Sequence, residues 1–193
     1  MRTMIATIVA AALLHTATAA APAIEVTRFH QSPPQPGQSI AVMPAPGMPA
    51  GTLEFATYAN SVVTELAKLG FKPVAAGQPA DLVATFSISD QAVGQERKGP
   101  PITIGIGGST GGWRGGVGGG VTFPVGGNRT RTIMQTQLQM QIRRAADNVA
   151  VWEGRAVQTG SNDPLAARMP VLARALLGGF PGPNGQTVKV KAR

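Results

Sequence analysis

Residues Met134 to Val157 read MQTQLQMQIRRAADNVAVWEGRAV and contain the longest regular alternation in the sequence. In the first half of this stretch, apolar residues and Thr136 point to one side of an extended chain, and the residues between them, mostly glutamine, point to the other. This alternation is typical of a strand with one dry face, because a helix would need apolar residues three and four positions apart. Asp147 and Asn148 supply turn chemistry, and Val149 to Val157 predicts a second strand. We therefore expect an antiparallel hairpin.

The start of the sequence has the three parts of a secretory signal peptide. Arg2 precedes an apolar run from Met4 to Leu14, and small residues follow, including the site Ala17-Thr18-Ala19. We expect residues 1–19 to be removed, with cleavage after residue 19, 20 or 21, and residues 20–193 to form a single domain. The alternative is an uncleaved membrane anchor. It is disfavoured because a run of eleven residues is too short to cross a bilayer core of about 30 Å.

Composition narrows the class of protein. The chain has no cysteine, so it has no disulfide, no thiolate metal site and no lipid-attachment cysteine of a lipoprotein. The formal net charge is +8, and from Arg97 onward thirteen Lys or Arg accompany three acids. Such a positive field attracts anionic lipid head groups, lipopolysaccharide or acidic wall polymers, and nucleic acid is an unexpected partner for an exported protein. The other interpretation is that scattered arginines only keep the chain soluble.

Shorter patterns predict two helices and several strands around the hairpin. The first helix, at Thr52 to Leu69, is the clearer one, since its apolar residues recur three or four positions apart. The second begins at Asp163-Pro164, with Asp163 as its cap, and Pro170 either kinks it or marks its start. Strands are expected at residues 24–30, 39–43, 71–74, 82–89 and 186–191. The predicted core residues are Leu66, Leu82, Phe86, Leu138, Met140, Ile142, Trp152, Leu172 and Leu176.

Residues 99–127 contain thirteen glycines. A segment so poor in side chains buries little apolar area, so most of it is expected to be a mobile loop. Alternating Ile102, Ile104 and Ile106 predict a strand that enters the loop, and Val121 to Val125 predicts one that leaves it. A phosphate-binding loop is disfavoured, because the third glycine of G-x-G-x-x-G and the lysine of a P-loop are both missing.

Basic and aromatic residues in and beside this Gly-rich loop are the candidate interaction residues. Trp113 and Arg114 lie between glycines, as in segments that stack on single-stranded nucleic acid, but one aromatic residue and one arginine are few for that function. A contact to a membrane interface, a glycan or a partner protein is the functional alternative, and a tolerated linker is the structural one. The candidate interaction residues are Arg97, Lys98, Trp113, Arg114, Arg129 and Arg131.

Residues suited to catalysis are few. His30 is the single histidine beyond the signal segment, and the nine acids are dispersed along the chain. No catalytic residue, metal ligand or cofactor is predicted, and a periplasmic hydrolase with a carboxylate-based site is the alternative. Trp152 is interpreted as a packing residue, because its same-face neighbours are small enough to leave room for the ring. These neighbours are Ala150, Gly154 and Ala156.

Three motifs follow one another along the chain. They are a helix that ends in Leu69-Gly70-Phe71 with Ala80 to Ala84 (ADLVA) after it, the hairpin with Val151 to Ala156 (VWEGRA), and Leu176 to Pro181 (LLGGFP). Their order and spacing resemble the bacterial envelope proteins grouped as domain of unknown function 4136, over most of residues 24–181. The resemblance implies an exported α+β domain whose antiparallel sheet carries helices, and it implies no reaction. Many such proteins look like lipoproteins, whereas this chain lacks the cysteine.

The expected fold is therefore α+β, with an antiparallel sheet, a long central hairpin, two helices packed on the sheet and the Gly-rich loop at residues 99–127. The expected function is that of an exported cell-envelope protein, either free in the periplasm or peripheral to the outer membrane. It is expected to bind an anionic envelope surface or an envelope protein without catalysing a reaction. The sequence does not specify a biochemical activity.

Overall fold

The computed structural model describes residues 23–97, 102–106, 121–125, 130–161 and 163–192, so the expected signal peptide lies outside the described residues. The described chain forms the strands β1 (Ala23–His30), β2 (Ser39–Pro44), β3 (Lys72–Val74), β4 (Leu82–Arg97), β5 (Ile102–Ile106), β6 (Val121–Val125), β7 (Thr130–Arg144), β8 (Ala150–Ser161) and β9 (Thr187–Lys191). The helices are α1 (Leu53–Lys68) and α2 (Leu165–Leu177). Seven strands form one sheet in the order β3-β2-β4-β7-β8-β1-β9.

The expectation of an antiparallel α+β sheet is wrong, because the sheet is mixed and the fold is mainly β. Strand β2 pairs in parallel with both β3 and β4, and Ile40 lies opposite Pro73 on one side and Leu82 on the other. The remaining pairs of this sheet are antiparallel. The physical reason is the connection after β2, since a helical crossover returns the chain to the end of the sheet at which the previous strand began. The order strand, helix, strand in residues 39–89 already indicates such a parallel pair.

The predicted hairpin is confirmed at the centre of the sheet. Strand β7 pairs with β8 on one side and with β4 along its whole length on the other. Asn148 in the turn has φ 58°, a left-handed conformation that asparagine tolerates better than most residues. Ile142 lies opposite Trp152, but the next residue, Arg143, lies opposite Ala150. Val151 is therefore an extra residue of β8 in a bulge.

Both helices pack on one face of the sheet. Phe55 of α1 stacks on Phe86 with ring centroids 5.2 Å apart. All nine predicted core side chains are at most 2% exposed, which confirms them as core. Helix α1 is capped by Thr52, and α2 continues through Pro170 with Pro164 rather than Asp163 at its cap position. No helix of the described residues has the length and apolar character needed to cross a membrane.

A buried arginine of β1 holds the C-terminal end of α2. Arg28 is 4% exposed. Its Nε donates to the carbonyl oxygen of Leu176 at 2.9 Å, and its Nη2 donates to those of Ala175 and Gly178 at 2.9 and 2.8 Å. The last carbonyls of a helix lack partners within the helix, so the Arg28 guanidinium satisfies groups that burial would otherwise leave unpaired.

The insertion between β4 and β7 begins with a two-stranded ribbon. Strand β4 pairs with β2 as far as Phe86, and β7 pairs with β8 from Ile133 onward. Beyond these points, among the described strands, β4 and β7 pair only with each other, up to the pair Arg97 and Thr130. The strands predicted at residues 102–106 and 121–125 are confirmed, because β5 and β6 pair antiparallel in a separate sheet. The rest of the expected mobile Gly-rich loop lies outside the described residues.

Candidate functional site

The sheet face opposite the helices carries hydrogen-bonding side chains in rows that run across the strands. Even-numbered residues of β7 from Thr136 to Ile142 are buried under the helices, so its odd-numbered residues lie on the other face. The register aligns two rows across β4, β7, β8 and β1. One row is Thr85, Gln141, Glu153 and Phe29, and the next is Ser87, Gln139, Arg155 and Thr27. We call these eight residues the polar face.

A pocket of about 510 Å³ lies on the polar face. All eight residues line it, together with Ala45 and Pro46 of the segment after β2. The backbone N–H of Ala45 donates to the carbonyl oxygen of Phe86 at 2.9 Å, which anchors this segment on β4. Phe29, on β1 at the other side of the pocket, is 53% exposed and provides an apolar wall. The volume lies within the range of about 300–1,000 Å³ that is common for small-ligand sites.

Hydrogen bonds orient one row of the polar face. Gln141 donates through Nε2 to Oε1 of Glu153, and its Oε1 accepts from Nε of Arg143 at 2.5 Å. Arg143 is held in turn, because its Nη1 donates to the carbonyl oxygen of Asn148 at 2.9 Å. The protein itself therefore fixes the directions in which Gln141 and Glu153 point.

Other polar side chains of the face remain available to a ligand. In the described part of the chain, no hydrogen bond or ion pair engages the side chains of Thr85, Ser87, Gln139 or Arg155. Gln139 and Arg155 are exposed. Arg155 and Glu153 are the two charged members of the polar face, so its formal charges cancel. The arrangement offers donors and acceptors to a bound molecule without a net charge.

A second polar cluster lies on the helix side. Arg168 of α2 is 7% exposed and donates to both carboxylate oxygens of Asp90, at 2.9 and 2.6 Å. This hydrogen-bonded pair holds the pKa of Asp90 below its usual value, and a hydrogen bond from Thr136 contributes. Burial and, to a smaller extent, a hydrogen bond to Glu54 at 2.7 Å together raise the pKa of Tyr58 to about 12. The contacts of Arg168 with Asp90 and Thr136 join α2 to β4 and β7, so the cluster has a structural function.

The structure places two of the six predicted interaction residues. Arg97 lies opposite Thr130 and Arg131 lies opposite Glu96, so both arginines are at the end of the ribbon. The polar face lies on the body of the sheet and contains neither of them. The other four predicted residues, Lys98, Trp113, Arg114 and Arg129, lie outside the described residues.

The acids have separate partners. Asp81 accepts hydrogen bonds from the hydroxyl and the backbone N–H of Ser39, and these lower its pKa. The described ion pairs of the other acids include Glu25 with Lys189, Glu65 with Lys68 and Asp147 with Arg144. The ring of His30 bonds through Nε2 to the carbonyl oxygen of Gly182 at 3.0 Å. Among the described residues, no three His, Asp or Glu side chains are grouped as metal ligands would be.

Sequence reasoning missed the polar face. Its local signal was present, because Gln135, Gln137, Gln139 and Gln141 alternate with the buried residues of β7. From the sequence alone, these glutamines are interpreted only as the solvent-exposed face of a strand. Partners from β4 and β1 are more than forty residues away in sequence, and only the register of the folded sheet places them beside Gln139 and Gln141.

Comparisons with known proteins give a family and several similar chains. An uncharacterized protein of Zymomonas mobilis subsp. mobilis is 29% identical over 213 aligned positions, which cover 87% of this chain and 80% of that protein. Among solved structures, a PelC dodecamer from Paraburkholderia phytofirmans has a TM-score of 0.42 and 13% identity, over 79% of this chain and 94% of that chain. A PDZ domain protein from Parabacteroides distasonis has a TM-score of 0.43 and 11% identity, over 88% of this chain and 39% of that chain. The model of the domain of unknown function DUF4136 matches residues 38–182, which confirms the resemblance seen in the sequence, and the chain belongs to this family.

Proposed function

We propose that the protein is an exported, non-enzymatic binding module of the cell envelope that engages its ligand through the polar face. The observation that carries the proposal is the pocket of about 510 Å³, where Ser87, Gln139 and Arg155 present hydrogen-bonding groups beside the exposed ring of Phe29. Solubility alone would be served by charged residues of both signs, which make up about 25–35% of a well-behaved surface. A concave site that places polar groups beside an exposed aromatic ring can instead orient a bound ligand.

The carboxylates support binding rather than catalysis. A carboxylate-based hydrolase needs two carboxyl groups that converge on one pocket, or a nucleophile beside a base. Glu153 is the one carboxylate among the described residues that line this pocket, and it accepts a hydrogen bond from Gln141. The alternative of a periplasmic hydrolase therefore lacks a second carboxylate here.

The proposed location is the periplasm, either free or peripheral to the outer membrane. The support is the signal-peptide pattern of residues 1–19. The test is to express the full chain in a bacterium with two membranes, fractionate the cells and sequence the N-terminus of the recovered protein. A start at residue 20, 21 or 22 in the envelope fraction is expected. A start at Met1 in the cytoplasmic fraction would refute export.

Affinity capture tests binding through the polar face. The exported protein is immobilised, and envelope extract is passed over wild type and two matched double variants. One variant carries Gln139→Ala and Arg155→Ala within the pocket; the control carries Gln91→Ala and Gln135→Ala, which are exposed on the same sheet face but do not line the pocket. We expect a component that wild type and control retain and the pocket variant loses. Equal retention by both variants would rule out the polar face as the binding surface.

A second candidate function is contact with an anionic envelope surface. The register favours it, because Arg97 and Arg131 share the end of the ribbon. Basic residues near an anionic membrane contribute about 1 kcal/mol each, and salt weakens the attraction. Replacing both arginines with glutamine should reduce co-sedimentation with phosphatidylglycerol vesicles at low salt. Unchanged co-sedimentation would remove this candidate.

A further inference from the structure

We infer that the ligand of the polar face is a glycan built from largely uncharged sugar units. This inference rests on the proposed function, because it names the chemistry of the partner that the same pocket would bind.

The free groups match the hydrogen-bonding pattern of sugar hydroxyls. A hydroxyl both donates and accepts, and so do the side chains of Gln139, Ser87 and Thr85, each of which is without a side-chain partner among the described residues. Glu153 adds an acceptor and Arg155 adds donors at neighbouring positions of β8 on the same face. A molecule with many hydroxyl groups can therefore satisfy every polar group that it would cover, which is the condition for burying them without loss.

Charge and composition make other ligands poorer matches. Strong anions are held by an excess of guanidinium or ammonium groups, but the charge of Arg155 is offset by Glu153 in the same pocket. Nucleic acid requires a basic groove for its phosphates. The centre of a protein interface is rich in aromatic and large apolar side chains, whereas Phe29 is the one aromatic member of the polar face.

Phe29 has the position that a sugar-binding aromatic residue needs. Its ring is 53% exposed, and its row continues into Glu153 and Gln141, whose orientations are fixed by hydrogen bonds. An aromatic ring can cover the apolar C–H face of a sugar ring, while polar groups beside it bind the hydroxyls at the rim. The polar face supplies both kinds of contact within one pocket.

The test uses the component of envelope extract that wild-type protein retains and the Gln139→Ala, Arg155→Ala variant loses. Before capture, separate portions of the extract are treated with periodate, which cleaves vicinal diols, with lysozyme, which digests N-acetylated wall glycan, with proteinase K, or with chloroform and methanol. We expect periodate or lysozyme to lower retention at least about tenfold, and the last two treatments to leave it unchanged. Phe29→Ala should also lower retention clearly below that of wild type, while the circular dichroism spectrum stays that of the folded protein.

The outcomes separate the two claims. Suppose that retention depends on the pocket and is lost with proteinase K or lipid extraction but not with periodate or lysozyme. That result would overturn the glycan assignment and would leave the proposed binding function intact. If the pocket variant and the control retain the same components, the proposed function itself fails, and the glycan assignment fails with it.

Discussion

The indole ring of Trp152 packs directly against the backbone of Gly154, so that a Cβ atom on Gly154 would lie 2.9 Å from Cζ2 of the ring. The same atom would lie 2.8 Å from Cδ1 of Leu176 in α2. Trp152 is 1% exposed, and its Nε1 donates to the carbonyl oxygen of Pro181 at 3.1 Å. The absence of a side chain at Gly154 therefore lets α2 and the tryptophan pack together on β8.

Replacing Gly154 with alanine should destabilise the protein by about 1–3 kcal/mol, because the new methyl group overlaps atoms that are already close-packed. Urea unfolding followed by circular dichroism measures the effect. Gly94→Ala is the matched control, since a Cβ atom there would come no closer than 3.9 Å to Ile133. Equal free energies of unfolding for the two variants would contradict the packing argument.

The burial of Trp152 is one of the features of this fold that the sequence predicts correctly. Its burial, the hairpin and the nine core residues follow from alternation along a strand or periodicity along a helix, which are local properties. The direction of β2 depends on the crossover through α1, and the expectation of an antiparallel sheet did not take that connection into account. Local patterns were sufficient for elements and burial but not for the pairing of distant strands.

The candidate site was less predictable than the fold. Charge and glycine content predict that Arg97, Arg131 and their neighbours around the Gly-rich loop are interaction residues. The polar face instead combines Gln139 of β7 with Ser87 of β4, separated by more than fifty residues and aligned only by the sheet register. The alternation of glutamines along β7 indicates which face Gln139 occupies, but it does not indicate that Ser87 lies beside it in a pocket.

Removing the Arg28 guanidinium should destabilise the C-terminal end of α2. In an Arg28→Met variant the three carbonyl groups would lose this donor, and those of Ala175 and Leu176 would be buried without it, so we expect a loss of about 2–3 kcal/mol in the free energy of unfolding. Arg28→Lys should lose less, because its ammonium keeps a positive charge near the helix end but cannot match the fork of donors. Thermal unfolding of the three proteins tests this, and an Arg28→Met variant as stable as wild type would show that Arg28 does not stabilise the end of α2.

The pair of Asp90 and Arg168 should make stability depend on acid. Folding lowers the pKa of Asp90 below its value of about 3.9 in the unfolded chain. The pair therefore stabilises the folded protein at pH values above about 3.9, and this stabilisation is lost as the pH falls through the folded pKa. A double-mutant cycle with Asp90→Asn and Arg168→Gln, measured from pH 7 to pH 2, should show a favourable coupling energy that declines below about pH 4. A coupling energy that is constant over this range would contradict the assignment.

Tyr58 should titrate well above ordinary tyrosines. It is the one tyrosine in the sequence, so absorbance at about 295 nm reports on it alone, and the folded protein should show a midpoint near pH 12. Because the folded pKa is raised, stability should fall as the pH rises from about 10 towards 12. Glu54→Gln should lower the midpoint without restoring the usual value, since burial is the larger cause. A wild-type midpoint near pH 10 in protein that is still folded would refute this prediction.

Binding through the polar face can be observed residue by residue in nuclear magnetic resonance spectra of the purified protein with ¹⁵N-labelled glutamine side chains, recorded while the retained envelope component is added. We expect the carboxamide signals of Gln139 and Gln141 to shift or broaden first, because both line the pocket of the polar face. Gln95 on the ribbon and Gln158 on the helix side should change little. Changes confined to Gln95, with Gln139 and Gln141 unaltered at saturation, would contradict the account and place binding at the ribbon.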